Sequence, residues 1–530
     1  MSSVPASAKV LVIGGGPGGS YAATCLAREN IDVVLLEADK FPRYHVGESQ
    51  LASMRHFLRF IDLEKEFSDF GFQKKPGAGF KLNQHKREGY TDFISRDPGN
   101  WSWNVVRSVS DELMLRYASR CGANVIEETK VTEIEFKGTG EEAQPVAALW
   151  KNKAGETGKI TFDYVIDASG RNGLLSVKYA KTRLYNDTLK NVASWGYWKG
   201  TGKYLPGTPR ENSPFFEALT DESGWCWFIP LHDGTTSVGI VQNQDISNNK
   251  KAQAKERGED ASTAAHYHRE LNLAPNIQVL MGDATMYKKP DAPLISAASD
   301  YSYHASSYAG PHYRLVGDAA VHRFCVNSIA NRTKIDPYFS SGVHLALSGG
   351  LSAAASICAV IRGHCTEAEA IKYHHKKVDS AYTRFLLVVL SAYQQIRVQT
   401  VPVFSKEDNF DEAFDFFRPI IQGNSDTGKK LAGDDLSKTV EFLATHAFEP
   451  SLPEERAEAV SQYGDVVDKL PASLSNDNVD DIKARNILKG IAIRKLMRTE
   501  DVMHINNESL DILEGYRMVM QRGQLGLEKA

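Results

Sequence analysis

Apolar residues near the start of the chain come in short runs, separated by a glycine-rich turn and by a segment with helical spacing. The stretch KVLVIGGGPGGSYAATCLARENIDVVLLEAD therefore predicts a strand, a tight turn, a helix and a second strand. Its two continuous apolar runs are typical of parallel strands buried on both faces. YVIDASG and YRLVGDAA, much further along, have the same form and also end in glycine and an acid. We expect these separated stretches to assemble one nucleotide-binding sheet.

The middle of the chain has a different pattern. VASWGYWK, GWCWFIP and TTSVGIV are aromatic and β-branched segments separated by turns, which predicts an antiparallel sheet. From about residue 343 helical spacing dominates, most clearly in AYTRFLLVVLSAYQQIRVQ. The predicted fold class is α/β. A Rossmann-like dinucleotide-binding domain is assembled from residues 8–184 and 306–362, beside an antiparallel β-sheet over 185–305 and a helical C-terminal region over 363–530.

Composition narrows the class of protein. The chain has 530 residues, which favours two or more domains, and its net charge of -4 does not favour a nucleic-acid partner. Six scattered cysteines without a C-x-x-C pair argue against structural zinc and a disulfide framework, and we predict no metal site. The first residues leave no room for a signal peptide before the first strand, and the apolar run GVHLALSGGLSAAASICAVI is interrupted by His344, serines and glycines. We therefore expect a cytoplasmic protein without a membrane span.

Gly14, Gly16 and Gly19 form a G-x-G-x-x-G motif between the first strand and the first helix. Such glycines let the turn close and let the backbone approach a pyrophosphate, whose charge then lies at the helix N-terminus. Glu37 ends the second strand at about the spacing of a ribose-binding acid. The complete strand, turn, helix, strand and acid context predicts binding of FAD or NAD.

Later motifs favour FAD. In PRYHVGES, Arg43, Glu48 and Ser49 closely follow the second strand, and VGDAA provides Asp318 at a strand end. DPYFSSGVHLAL opens another helix with small residues, and a second helix N-terminus suits a flavin pyrophosphate held between two segments. Asp318 could instead be a helix N-cap. Arg107, in NVVRSVSDEL, is equally compatible with a surface arginine and with a flavin contact.

Together these motifs, with IDPYFSSG, resemble the flavin-dependent halogenases, and especially the fungal phenol-type enzymes that chlorinate polyketides. The resemblance covers roughly residues 8–420. GWCWFIP fits the family signature W-x-W-x-I-P, which separates halogenases from related aromatic hydroxylases, through Trp225, Trp227, Ile229 and Pro230. The signature tryptophans are also compatible with two core residues pointing the same way from a strand.

The resemblance implies that reduced FAD, O₂ and chloride give hypochlorous acid, which reaches a lysine beside a phenolic substrate. No dedicated nicotinamide site is visible in the sequence, so we expect a separate flavin reductase to supply reduced FAD. The C-terminal helices could serve as an interaction platform, but we expect them to close the substrate pocket. The resemblance selects Ser341 and Gly342 as the chloride-binding pair and Lys75, in FQKKPG, as the catalytic lysine. Alternation along an extended segment would turn Lys75 inward and Lys74 to water. Without the resemblance, these lysines would be assigned to a solvated loop.

The chain departs from the family pattern at two places. Phe339 stands where tryptophan halogenases carry a glutamate, as expected for phenol-type enzymes. Residues 321–333 are inserted between two presumed flavin contacts, and Lys334 replaces an expected phenylalanine. The insertion is either an outward loop or a translated intron. Two alternatives therefore accompany the halogenase: an FAD-dependent aromatic hydroxylase, and an inactive FAD-binding homologue.

Overall fold

A computed structural model describes most of the chain before residue 400. The described residues are 3–320 without 86, 96, 291 and 306, then 340–397, 399, 458–459, 461–462, 484, 487–488, 508–509 and 511–530. The insertion at 321–333, Lys334 and Phe339 lie outside the described residues, as does most of the expected helical region beyond 400.

Helices and strands are mixed along the described chain. The helices are α1 Pro17–Arg28, α2 Ser53–Phe60, α3 Glu64–Phe70, α4 Arg107–Arg120, α5 Gln244–Glu256, α6 Thr263–Leu271, α7 Pro275–Met281, α8 Gly342–Ile361 and α9 Glu367–Arg397. The strands are β1 Ser7–Ile13, β2 Val33–Leu36, β3 Gln73–Lys75, β4 Gly77–Lys81, β5 Gly89–Asp92, β6 Ser102–Asn104, β7 Asn124–Ile126, β8 Thr129–Lys137, β9 Gln144–Asn152, β10 Thr157–Asp167, β11 Arg183–Lys199, β12 Phe215–Ala218, β13 Gly224–Pro230, β14 Thr236–Asn243, β15 Thr285–Tyr287, β16 Ile295–Ala305, β17 Ala309–Gly310, β18 Tyr313–Leu315, β19 Tyr516–Val519 and β20 Gly526–Lys529.

The first sheet joins distant parts of the chain, as the apolar runs predict. Its strand order is β17-β18-β10-β1-β2-β7, with β8 and β9 added beside β10. β1 pairs in parallel with both β2 and β10, and β10 pairs in parallel with β18. Every residue of β2 is buried, as expected for a strand covered on both faces. The prediction of an α/β fold with a Rossmann-like domain built from separated segments is confirmed.

The second sheet is largely antiparallel and has the order β15-β11-β14-β13-β12-β4-β5, with β16 paired to β11. It extends beyond the expected range of 185–305, because β4 and β5 come from the first hundred residues. β4 joins through a parallel pairing with β12, in which Gly79 lies opposite Phe215. Helices α5, α6 and α7 interrupt the same range. The substrate-side sheet is therefore composed of two parts of the sequence.

Between the two sheets, β3 pairs with β6 in a separate two-stranded ribbon. Lys75 lies opposite Ser102 in this pairing. Asn104, at the end of β6, also donates from its side-chain amide to the carbonyl of Pro230, 3.1 Å away, at the end of β13. The ribbon thus connects the lysine pair of FQKKPG with the end of the W-x-W-x-I-P strand.

Helix α8 is long and apolar enough to pass a length and hydropathy test for a membrane span. However, 78% of the most apolar 18-residue stretch of this helix is buried inside the protein. The helix packs against α1, so a position in the core accounts for its composition.

The chain returns to the first domain at its end, where residues 363–530 were expected to be helical. β19 and β20 form an antiparallel hairpin, and Leu527 is fully buried in the core around α1 and α8. The carboxylate of Glu29, at the end of α1, accepts hydrogen bonds from the backbone amides of Gly523 at 2.8 Å and Leu525 at 3.1 Å. Arg362, at the end of α8, donates to the same carboxylate. The hairpin is therefore part of the first domain.

Candidate active site

The glycine-rich turn has the shape that a pyrophosphate requires. Gly14 has a φ of 103°, and a Cβ at this position would lie 2.3 Å from the carbonyl oxygen of Ala168. A Cβ on Gly19 would lie 1.9 Å from the carbonyl oxygen of Gly14, so the turn and α1 approach too closely for any side chain. A Cβ on Gly16 would have one neighbour within 4 Å, a guanidinium nitrogen of Arg43 at an ordinary contact distance of 3.5 Å. The cation of Arg43 thus lies beside the turn, where the phosphate oxygens would bind.

Glu37 fixes this turn from the next strand. Its carboxylate, largely buried, accepts hydrogen bonds from the backbone amides of Gly15 and, at 2.8 Å, of Asp39. Each carboxylate oxygen can accept a further hydrogen bond. Glu37 can therefore hold the turn and bind a ribose hydroxyl group at the same time.

Arg107 is buried, so the alternative of a surface arginine is wrong. Its guanidinium donates to both carboxylate oxygens of Asp111, at 2.8 and 2.9 Å, and to the carbonyl of Val46 at 2.8 Å. Arg43 donates to the same carboxylate at 3.3 Å. Burial raises the pKa of Asp111, but the neighbouring arginines outweigh it and hold the pKa below its usual value. Asp111 thus stays ionised and orients two cations near the glycine-rich turn.

A second helix N-terminus lies beside this turn. A Cβ on Gly18 would lie 3.1 Å from the carbonyl oxygen of Ala346, and one on Gly350 would lie 2.7 Å from that of Gly18 and 3.4 Å from the amide nitrogen of Ala22. Later residues of α1 thus meet later residues of α8, and the two helices run in the same direction. Their N-termini, each carrying partial positive charge, open at the same end of the domain.

Ser341 and Gly342 are at the N-terminus of α8. Ser341 is almost fully buried, and its hydroxyl has no hydrogen-bond partner in the described part of the chain. A Cβ added to Gly342 would have no atom of the described residues within 4 Å. Asp318 is exposed, within a single 3₁₀ turn over Gly317–Ala319, and it is not the N-cap residue of α8, which is Ser341. The start of α8 therefore combines open space with an unsatisfied buried donor.

These observations fit FAD. Ser49, which follows the arginine segment in sequence, is also buried with a hydroxyl that lacks a partner among the described residues. Buried polar atoms are normally paired, so each of these two orphaned hydroxyls is a group that a ligand could satisfy. The glycine-rich turn, the cations and these hydroxyls supply contacts along a long, charged cofactor.

The two adjacent lysines point in opposite directions, as strand alternation predicts. Lys75 is buried with 2% of its surface exposed, whereas Lys74 lies in solvent over the ring of Trp101. The ammonium of Lys75 donates to the carbonyl of Gln50 at 2.8 Å and lies 5.2 Å from the ring centre of Phe93. Burial lowers the pKa of Lys75 from 10.5 to about 7. Near neutral pH both protonation states of this amine are accessible.

The signature tryptophans are on one face of β13 in the core of the second sheet. Trp225 and Trp227 are buried, with ring centres 5.9 Å apart. The indole of Trp225 donates to the hydroxyl of Tyr393 at 2.8 Å, and that of Trp227 donates to Ser237 at 3.1 Å. Ile229 is also buried, and Pro230 ends the strand next to the lysine ribbon. The expectation of two core tryptophans pointing the same way is confirmed.

Comparisons with known proteins decide the family. The family model described as tryptophan halogenase matches residues 9–99 and 90–404. A flavin-dependent halogenase of Acremonium egyptiacum, ascD, is 52% identical over 545 residues, which cover 100% of this chain and 94% of the relative. The chain belongs to the flavin-dependent halogenases.

Two further relatives agree with this assignment. The sulochrin halogenase gedL of Aspergillus terreus is 47% identical over 100% of this chain and 94% of its own. Among solved structures, the myxobacterial chondrochloren halogenase CndH, an FAD-dependent enzyme, superposes with a TM-score of 0.63 at 26% identity, over 92% of this chain and 98% of that one. The protein is thus an FAD-dependent halogenase, an oxidoreductase of the kind found in fungi, and the predicted family is confirmed.

The sequence did not reveal two residues that contact the predicted site residues Lys75 and Arg107. Gln50 accepts the hydrogen bond of Lys75 through its backbone carbonyl, for which any residue type would serve. Asp111 pairs with Arg107, four residues earlier on α4. That spacing places both side chains on one helix face, which is a signal that sequence analysis could have used.

The approach of Gly19 to Gly14 leads to a test of cofactor binding. We expect Gly19→Ala to purify with at least about tenfold less bound flavin, because the added methyl group collides with backbone that cannot move away. Flavin absorbance per protein measures this loss. Gly349→Ala is the matched control, since its Cβ would make an ordinary 3.8 Å contact with Val316. Equal flavin content in both variants would contradict the prediction.

Proposed function

We propose that this halogenase chlorinates electron-rich phenolic rings of the polyketide type in secondary metabolism, using hypochlorous acid held by Lys75. The observation that carries the proposal is the state of Lys75: a buried amine with one hydrogen bond, to Gln50, within the described residues. An ammonium has three donors, so two remain for a ligand. A surface lysine would offer the same donors only in competition with water.

Lys75 can act by donating a hydrogen bond to the oxygen of hypochlorous acid. This contact draws electrons from the O–Cl bond and makes the chlorine more electrophilic. The ring then forms a C–Cl bond while the O–Cl bond breaks, and the departing hydroxide takes the displaced ring proton to give water. Because Lys75 is buried, the contact acts in a medium of low dielectric constant, where it is stronger than in water. Lys75 would thus be the catalytic residue.

The residues that would hold the cofactor are those of the first domain. Gly14, Gly16 and Gly19 would receive the pyrophosphate, Glu37 the ribose, and the remaining contacts would come from Arg43, Ser49, Arg107 and Asp318. When bound in reduced form, FAD supplies with O₂ the oxidising power that converts chloride into hypochlorous acid. The amides of Ser341 and Gly342, at the N-terminus of α8, would bind the chloride.

A phenolic substrate is supported by two observations. One relative is named as a sulochrin halogenase, which indicates a small aromatic molecule as the kind of substrate. The sequence also has Phe339 where tryptophan halogenases have a glutamate, and a phenol activates its own ring by losing its proton. Since no dedicated nicotinamide motif is present, we expect a separate flavin reductase to deliver reduced FAD in the cytoplasm. The described helix α9 and the chain beyond it would close the substrate pocket.

The proposed function is tested with the full chain, FAD, a flavin reductase, NADH and a panel of phenolic polyketides. We expect product with the isotope pattern of one chlorine in chloride buffer, and of one bromine when bromide replaces chloride. The control omits the halide. A hydroxylated product that forms without halide would support an aromatic hydroxylase. Protein that remains colourless with added FAD would support the inactive homologue.

A further inference from the structure

The segment that positions Lys75 runs along β6. The carbonyl of Glu48 accepts from the amide of Val105 at 2.7 Å, and the amide of Gln50 donates to the carbonyl of Trp103 at 3.0 Å. The carbonyl of Gln50 then accepts from Lys75. Residues 48–50 therefore pair with the β6 side of the two-stranded ribbon, as a third extended segment. Their position fixes the direction in which the ammonium of Lys75 points.

The side chain of Glu48 leaves this segment toward the second sheet. It is buried, and its carboxylate accepts a hydrogen bond from the hydroxyl of Tyr197, on β11, at 2.7 Å. The hydroxyl of Tyr44 lies 2.9 Å from that of Tyr197, and the indole of Trp195 donates to Tyr44 at 2.6 Å. Because Tyr197 gives its proton to Glu48, Tyr44 must donate to Tyr197. The donors of these three side chains thus point along one chain that ends on the carboxylate, which also accepts a hydrogen bond from the hydroxyl of Ser237.

Among the described residues, no cationic side chain forms a direct ion pair with Glu48. Burial raises the pKa of Glu48, while its hydrogen bond with Tyr197 and the charge of Lys289 oppose the rise. Lys289 is itself paired with Asp233 at 3.0 Å and lies over the ring of Tyr197. A buried carboxyl group that depends on neutral hydrogen bonds is costly unless its geometry is kept. The arrangement therefore restrains Glu48 to one position.

We propose that Glu48 and Tyr197 are positioning residues for the catalytic lysine. They connect the second sheet to residues 48–50, and they hold the carbonyl of Gln50 where it orients Lys75. The inference rests on the proposed function of Lys75. It assigns Glu48 and Tyr197 no contact with the cofactor or the substrate.

The main test measures chlorinated product formed per reduced FAD consumed in Tyr197→Phe and Glu48→Leu. We expect this yield to fall about tenfold in each variant, since a misplaced group loses catalytic efficiency while the oxidant still forms. Glu48→Gln keeps an acceptor for Tyr197 and should retain most of the wild-type yield. Bound flavin should be unchanged in all three.

Tyr267→Phe is the matched control. Tyr267, like Tyr197, is a buried tyrosine, and it packs against the second sheet. Its hydroxyl accepts a hydrogen bond from the indole of Trp198 at 3.0 Å and donates one to the carbonyl of Val238 at 2.9 Å. Its loss should lower stability about as much as that of Tyr197 without changing the yield. If Tyr267→Phe lowers the yield equally, the effect is general destabilisation and the inference is overturned.

A second measurement needs no cofactor. NMR of protein labelled at lysine Cε follows the titration of Lys75, which is assigned by its absence in Lys75→Met. We expect the pKa of Lys75 to rise from about 7 toward 10.5 in Tyr197→Phe and Glu48→Leu, because a displaced segment admits water. Unchanged titration together with unchanged yield overturns the inference, and if Glu48→Leu does not fold, Tyr197→Phe decides alone.

The outcomes separate this inference from the proposed function. Wild-type protein that does not chlorinate refutes the proposed function, and a Lys75→Ala variant that still chlorinates refutes the role of the lysine. If both behave as proposed while Tyr197→Phe and Glu48→Leu match the wild type, the positioning role alone is wrong.

Discussion

Replacing Lys75 with alanine is expected to lower chlorination by about a hundredfold or more, the range seen when a positioned proton-donating group is lost. Lys75 holds the only ammonium that the described ribbon turns inward, and within the described residues one of its three donors is used, by the carbonyl of Gln50. The glycine-rich turn, Arg43 and Ser341 do not contact it, so the variant should still bind flavin and consume reduced FAD. The measurement compares product, flavin content and O₂ consumption.

Lys74→Ala is the control for this experiment. Lys74 is the neighbouring residue of the same chemical type, but it lies in solvent over Trp101. We expect its loss to leave product formation unchanged. In Lys75→Ala, hypochlorous acid should escape and appear in a chlorine-accepting trap. A Lys75→Ala variant with wild-type product would rule out the proposed mechanism, and parallel losses in both variants would indicate damage to the ribbon.

Replacing Lys75 with methionine is expected to stabilise the protein. Methionine is similar in length and suits a buried site, whereas a buried ammonium is poorly solvated. The pKa of Lys75 is about 7 in the folded protein and 10.5 ordinarily, so between these values the unfolded chain binds more protons. Stability of the wild type should therefore rise with pH across this window and be lowest at or below pH 7. The cost below pH 7 is on the order of 3–5 kcal/mol.

The measurement is the difference in melting temperature between Lys75→Met and the wild type at several pH values. We expect the largest difference at pH 6 to 7 and a steady decrease toward pH 10, because folded Lys75 is neutral across this window and removing the proton that the unfolded chain still carries costs less as the pH approaches 10.5. Lys74 is exposed to solvent, so the melting temperature of Lys74→Met relative to the wild type should not change with pH in this way. A constant difference across the pH range would show that the change in packing, and not the charge of Lys75, determines the effect.

Local sequence patterns were sufficient to predict those parts of the site that depend on local backbone geometry. The glycine-rich turn requires a positive φ at Gly14, and strand alternation separates Lys74 from Lys75, so short stretches of sequence determine both features. Glu37 likewise follows from its place at the end of β2.

Features that depend on distant contacts were not predictable from these patterns. β4 joins the second sheet by pairing with a strand more than a hundred residues later, and nothing in GAGFK indicates that partner. The contact between Gln50 and Lys75 is made by the backbone carbonyl of Gln50, so the residue type at position 50 does not indicate it. Glu48 belongs to the motif PRYHVGES, but no sequence pattern indicates that Tyr197 is its hydrogen-bond partner. Register and pairing between remote segments are set by the whole core and not by either segment alone.

The hairpin of β19 and β20 has a consequence for synthesis of the protein. The first strand of the FAD-binding domain emerges early from the ribosome, but Leu525 and Leu527 complete the same core and emerge some five hundred residues later. Until then, Glu29 lacks the amides of Gly523 and Leu525 that its carboxylate binds. The core of this domain is therefore completed only after the second sheet has been translated. A chain truncated before Gly523 would leave the carboxylate of Glu29 without these two amides and the core without Leu525 and Leu527.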